Sequence, residues 1–130
     1  MKLDYDCIRC LLLALEEELQ IDDDLESNFI ELSSIMKSER LKKFSKSTVA
    51  YASMRLEEAD LIDANIIFAD DRICDIYYLS ITYSGHQLLD SIRSPKVWTI
   101  IKDRFIKSGV SLTIDAILSV APKVIQSLLL

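Results

Sequence analysis

Tyr77-Tyr78-Leu79-Ser80-Ile81-Thr82-Tyr83-Ser84-Gly85-His86-Gln87-Leu88-Leu89-Asp90 reads as a strand running almost directly into a helix. Thr82 is placed to cap the new helix with its hydroxyl, and Leu88, Leu89 and Ile92 give that helix an apolar face. Working backwards, residues 73–81 carry Cys74, Ile76 and Tyr78 on one face and Tyr77, Leu79 and Ile81 on the other. Ala69-Asp70-Asp71-Arg72 is a turn, and before it Ile62, Ala64, Ile66 and Phe68 alternate as one face of a strand. A hairpin therefore precedes the helix.

Ahead of the hairpin, Ser45 reads as an N-cap. Phe44 before it and Val49 at the fourth helical position form the pair of a hydrophobic staple. This helix runs to about Ala59, with Val49, Ala52, Ser53, Leu56 and Ala59 inward and Lys46, Ser47, Ala50, Tyr51 and Met54 outward. Asp60 stands where a glycine would more easily adopt the left-handed conformation that ends such a helix. Upstream, Ser33 or Ser34 can cap a helix through Ile35, Met36 and Leu41. Phe29-Ile30-Glu31-Leu32 is a short strand or the first turn of that helix. The first helix opens at Asp4 or Asp6 and repeats Ile8, Leu11, Leu12, Leu15 and Leu19 at helical spacing.

Two helices joined by a tight turn and followed by a hairpin form the pattern of a winged helix-turn-helix. The expected fold is α+β, mainly α: a winged-helix domain over 1–93 including the helix after the wing, and a helical extension over 94–130. In the extension Ser94-Pro95 is a helix start, Val97, Trp98, Ile101 and Phe105 form an apolar face, and Gly109 is a stop. Thr113 caps a last helix in which Pro122 must introduce a kink or begin a new helix. Ile117, Val124, Ile125, Leu128 and Leu129 exceed the stripe one core absorbs, and predict a homodimer interface, the alternative being closure over Trp98 and Phe105 within one chain. This segment is too short and too interrupted to cross a bilayer, so no membrane association is expected.

With 130 residues, half of them hydrophobic, the chain has ample material for a core, and disorder is excluded. Its net charge of −6 opposes general attraction to nucleic acid or anionic lipid. That charge is unevenly spread: residues 1–32 carry net −8, whereas 33–61 carry net +2. Cys7, Cys10 and Cys74, with no secretory segment, suit a reduced cytoplasmic compartment. Cys7-x-x-Cys10 lacks the second ligand pair of a zinc site and reads as two small buried hydrophobes. The Asp22-Asp23-Asp24 run lacks the alternation, glycine and distal glutamate of a calcium loop. Only two glycines are present, which excludes a phosphate-cradling loop. His86 is the sole histidine and reads as structural; Ser84-Gly85 lacks the pattern of a nucleophile elbow. No metal, cofactor or catalytic residue is expected, and the protein does not read as an enzyme.

The basic block carries the functional content. Lys37, Arg40, Lys42, Lys43 and Lys46 face Glu39 alone, net +4 over ten residues, at the turn and start of the expected recognition helix. Phosphates would meet this region in helix-turn-helix docking, with Ser47 and Tyr51 in reach of base edges. Against this, Asp70 and Asp71 at the wing tip would repel a phosphate backbone. Two partner classes follow: double-stranded DNA, for a transcriptional regulator, or a host or phage protein, for an interaction module.

Met1-Lys2-Leu3-Asp4-x-Asp6-Cys7-Ile8-Arg9, together with residues 79–93 and Val97-Trp98, resembles a domain-of-unknown-function family of hypothetical phage and prophage proteins. Its members open on Met-Lys-Leu-Asp and carry a Leu-Thr-x-x-Gly-His segment, matched here by Ile81-Thr82-Tyr83-Ser84-Gly85-His86, with Tyr83 where many relatives have tryptophan. The match is strong at both ends and weak from about residue 20 to 60. The resemblance implies a winged-helix core and a phage or mobile-element setting, and no catalytic residues.

Overall fold

The computed structural model describes all 130 residues, as six α-helices and a three-stranded antiparallel sheet. The order is α1 (Tyr5–Glu18), β1 (Ile30–Glu31), α2 (Leu32–Ile35), a 3-10 turn (Glu39–Leu41), α3 (Lys46–Glu58), β2 (Ile62–Ala69), β3 (Arg72–Ile81), α4 (Tyr83–Ile92), α5 (Pro95–Ser108) and α6 (Ile114–Leu129). Contacts divide the chain into two compact units, Met1–His86 and Gln87–Leu130.

In the first unit, Asp4 caps α1, accepting the Cys7 N–H at 3.0 Å. Seven residues of α1 are buried, from Cys7 and Ile8 to the unbroken run 11–15. A run that wide has elements on more than one side, and α1 packs against α3, the 3-10 turn and β3. Each fully buried Leu or Ile there contributes about 1.5–3 kcal/mol.

The helix expected from Ser33 or Ser34 to Leu41 is broken. Glu31 stands at the cap with no side-chain bond, α2 lasts four residues, and Ser38 then caps the 3-10 turn, accepting the Arg40 N–H. Serine's hydroxyl offers the backbone a local alternative to the helix, and the break lets Leu32, Ile35 and Leu41 all be buried.

Ser45 caps α3 as expected, accepting the Thr48 N–H. Within α3 two assignments change: Ala50 is buried, and Ala59 is the exposed C-cap. Asp60 at φ 59 ends the helix in a Schellman motif. Its N–H reaches the Glu57 carbonyl at 3.0 Å, the Leu61 N–H reaches that of Leu56 at 2.9 Å, and both leucines are buried.

In the sheet, ordered β1-β3-β2, β1 covers only Tyr77 and Tyr78 of β3. The β2–β3 hairpin closes on Ala69↔Arg72, with Asp70 and Asp71 both at positive φ, as a two-residue type I′ turn requires. Its inner half is core: Ile62, Ala64, Ile76 and Tyr78 are buried. Its outer half projects, with Phe68 60% exposed. A bulge beside Ile67/Phe68 interrupts the alternation, so Cys74 is exposed rather than sharing a face with Ile76. Ser53 is the one buried polar residue. Its hydroxyl donates to the Val49 carbonyl at 2.8 Å, which leaves the Tyr78 O–H to donate to the Ser53 oxygen at 2.6 Å.

Thr82 accepts the Gly85 N–H at 3.1 Å and donates to the Asp60 carbonyl at 2.7 Å, while its own N–H bonds the Leu61 carbonyl. A Cβ on Gly85 would lie 1.9 Å from that Leu61 oxygen. The Thr-x-x-Gly spacing thus binds the first turn of α4 to the end of α3.

In the second unit, Ser94 caps α5 with Pro95 at its first turn, Gly109 ends it at φ 72, and Thr113 caps α6. α6 runs unbroken through Pro122 and packs against α5. No helix of the chain is long and apolar enough to cross a membrane.

Candidate functional site

The site of interest is the exposed side of α3 with the outer half of the hairpin. Two hollows flank that half. One, of about 500 Å³, is lined by the last turns of α3, including Met54 and Arg55, and by residues 64–68 of β2. The other, of about 550 Å³, is lined by Met1, Leu32, Lys46, Ser47, Ala50, Tyr51, Met54, Ile73 and Cys74. A third, of about 490 Å³, shares Lys46, Ile73 and Cys74 with the second and brings in Asp70 and Arg72. Met54 is common to the first two. The hairpin thus stands beside α3 like a wall along a furrow.

The seven residues expected to meet nucleic acid do not form one open cationic face. Arg40 is held by Glu17, through Nη2 at 2.6 Å and Nε at 2.7 Å, and this hydrogen bond raises its pKa further. Lys42 pairs with Glu39 at 2.6 Å. Both pairs are exposed and worth little. Lys37, Lys43 and Lys46 are exposed and have no carboxylate partner, Lys43 lying over the Phe44 ring at 5.3 Å. Ser47 and Tyr51 line the 550 Å³ hollow beside Ala50 and Met54. Tyr51 is half-buried, with the Arg55 guanidinium 5.1 Å from its ring centroid and Glu58 held by Arg55 at 2.5 Å. The start of α3 therefore offers an apolar hollow with a cationic rim.

Ile73, Leu32 and Met1 belong to this hollow and were not expected there. Ile73 had a signal in its place two residues after the turn. The positions of Leu32 and Met1 depend on packing between distant segments.

Elsewhere, the Asp22 carboxylate is spent on its own loop, accepting the N–H groups of Asp24 and Glu26. Cys7 is fully buried, and burial, with Asp4 and Cys10 nearby, pushes its thiol up to about 12. No three Cys, His, Asp or Glu side chains converge as metal ligands. His86 is exposed, lining a hollow with Asp63 and Ser80, and its imidazole makes no hydrogen bond. Of the α6 residues expected at an interface, Ile117 and Val124 are buried within the chain, Ile125 is half-buried, and Leu128 and Leu129 are exposed.

A family model described as hypothetical protein DUF2513 matches residues 2–111. The chain belongs to that family. An uncharacterised protein of Haemophilus influenzae is 30% identical over 129 residues, spanning 99% of each chain. No solved structure matches. The DUF2513 match takes in α1 to α5, hence both Thr82 and Gly85 and all of the furrow but Met1, and stops before α6.

Proposed function

We propose that this DUF2513 protein is a winged-helix interaction module, without catalytic activity, whose α3 and hairpin bind a segment of a partner protein. The succession of α1, β1, α2, the 3-10 turn, α3 and a hairpin, with sheet order β1-β3-β2, supports the winged-helix reading. The phage or prophage setting implied by the sequence resemblance suits a small factor acting on a host or phage complex.

One observation carries the choice of partner: the exposed side of α3 opens on an apolar hollow lined by Ala50, Tyr51, Met54 and Ile73. Duplex recognition wants polar side chains free to reach base edges and a wing that tolerates phosphate. Here the hairpin tip is Asp70-Asp71 and the chain carries net −6.

Duplex DNA is the second reading, favoured by Lys37, Lys43 and Lys46, which are exposed and unpaired near the capped start of α3. Two measurements separate the readings. The first is an electrophoretic shift on random duplex at low and moderate salt, where the protein reading expects no salt-dependent complex. The second is photo-crosslinking in cells from a benzophenone side chain at exposed Ser47, with exposed Ser111 as control. One saturable protein adduct from position 47 alone is expected. Duplex binding that weakens with salt and is lost in Lys42→Glu with Lys43→Glu would establish the DNA reading instead.

A further inference from the structure

Half of one strand edge is uncovered. β1 pairs with β3 only at Tyr77 and Tyr78, because the chain turns away into α2 at Leu32. Residues 72–75 of β3 have β2 on one side and no strand on the other. In a two-residue hairpin the closing pair, here Ala69 and Arg72, exchange both backbone bonds, so the N–H and C=O of Ile73 point to the opposite edge. At the inner end that edge is closed, because the Asp75 carboxylate accepts the Ile76 N–H at 2.7 Å.

This short open edge borders the apolar hollow, since Ile73 and Cys74 line it together with Ala50, Tyr51 and Met54. Cations sit at its end. Lys46 and Arg72 both line the adjoining hollow, where Asp70 is the one carboxylate, and neither cation has an ion-pair partner. Within that lining the two cations outnumber the single carboxylate, Asp71 and Asp75 lying outside it.

We infer that the hollow between α3 and the uncovered edge of β3 receives an extended peptide of a partner protein. It adds as a strand beside residues 72–75, seats an apolar side chain on Ala50, Tyr51, Met54 and Ile73, and brings a carboxylate to Lys46 and Arg72. The inference rests on the protein-binding reading above and deepens it. Backbone bonds to the edge supply affinity, and alternate side chains entering the hollow supply selectivity. An added strand lies about 4.8 Å from its neighbour. A helix of about 10 Å diameter would leave the Ile73 backbone groups without partners.

The probe is a displayed library of random dodecapeptides panned against the full chain, the enriched peptides being titrated by amide NMR. Enriched sequences are expected to share an apolar residue close to an Asp or Glu, and to shift the amides of residues 72–75 together with those of residues 46–54. Lys46→Glu, at an exposed position, should weaken an acidic peptide about tenfold, and a peptide with Lys for its carboxylate should regain binding to that variant. Far-UV circular dichroism confirms that the variant is folded. Peptides that shift amides elsewhere, or bind as helices, overturn this inference and leave the protein-binding reading standing. An absence of enriched peptides overturns the inference, and combined with salt-dependent duplex binding it overturns both.

Discussion

Replacing Gly85 by alanine should cost about 3–5 kcal/mol of stability. The added Cβ would lie 1.9 Å from the Leu61 carbonyl oxygen and 2.7 Å from Ile81 Cγ2. Restoring contact distance requires the carbonyl to retreat by about 1.3 Å. That carbonyl accepts the Thr82 N–H at 3.2 Å, and Leu61 also donates to Leu56 at 2.9 Å, the bond that closes α3. Moving it strains both bonds and the Thr82 cap, each worth about 1 kcal/mol, on top of about 1–3 kcal/mol of overpacking. Alanine's better helix propensity returns about 1 kcal/mol, which lowers the total without reversing it. Urea unfolding followed by far-UV circular dichroism measures the difference, with Ser84→Ala, at an exposed neighbour, as a control expected within about 0.5 kcal/mol. A Gly85→Ala loss below about 1 kcal/mol would refute the argument that the close approach at Leu61 dictates glycine here.

The opposite sign is expected at Asp60, a non-glycine residue at φ 59, where Asp60→Gly should raise the urea midpoint by the equivalent of about 0.5–1 kcal/mol. In alkali, Cys7 is pushed up to about 12 from 9.0 and Tyr78 is raised from 10.0, both chiefly by burial. Folded values above unfolded ones mean stability fully present below about pH 9 and lost as pH climbs from there toward 12, so urea midpoints should hold to about pH 9 and then fall. Unchanged midpoints above that range would contradict it. For α6, where Leu118, Leu128 and Leu129 are 36%, 40% and 80% exposed, light scattering should give about twice the 14.8 kDa chain mass, and Leu118→Asp with Leu128→Asp should give the monomer.

What was legible in the sequence is what a few neighbouring residues decide by themselves. Ser45, Ser94 and Thr113 each cap a helix by accepting an N–H three residues on, and Gly109 ends α5 because it alone takes φ 72 without cost. The hairpin was legible for the same reason, its turn being marked by Asp70-Asp71. What escaped depends on distant partners. The break after Ile35 follows from the need to bury both Leu32 and Leu41. Arg40 looked free because Glu17 lies 23 residues away. Cys74 was assigned by simple alternation, which the bulge breaks. The apolar hollow could not be read at all, since it arises where β1 stops pairing with β3 after two residues.

The base of the hairpin is a clasp: Thr82 holds the Asp60 and Leu61 carbonyls just outside the first rung, Ile62↔Ile81. A ribbon pinned at its root can change length only at its free end. Residues added in pairs at Asp70-Asp71 would lengthen both arms and leave every inner side chain facing as before, whereas a single added residue must be absorbed by a bulge or turn one arm over. Relatives should therefore differ in hairpin length by even numbers, and that tip is the natural place to graft a reporter peptide without disturbing the fold.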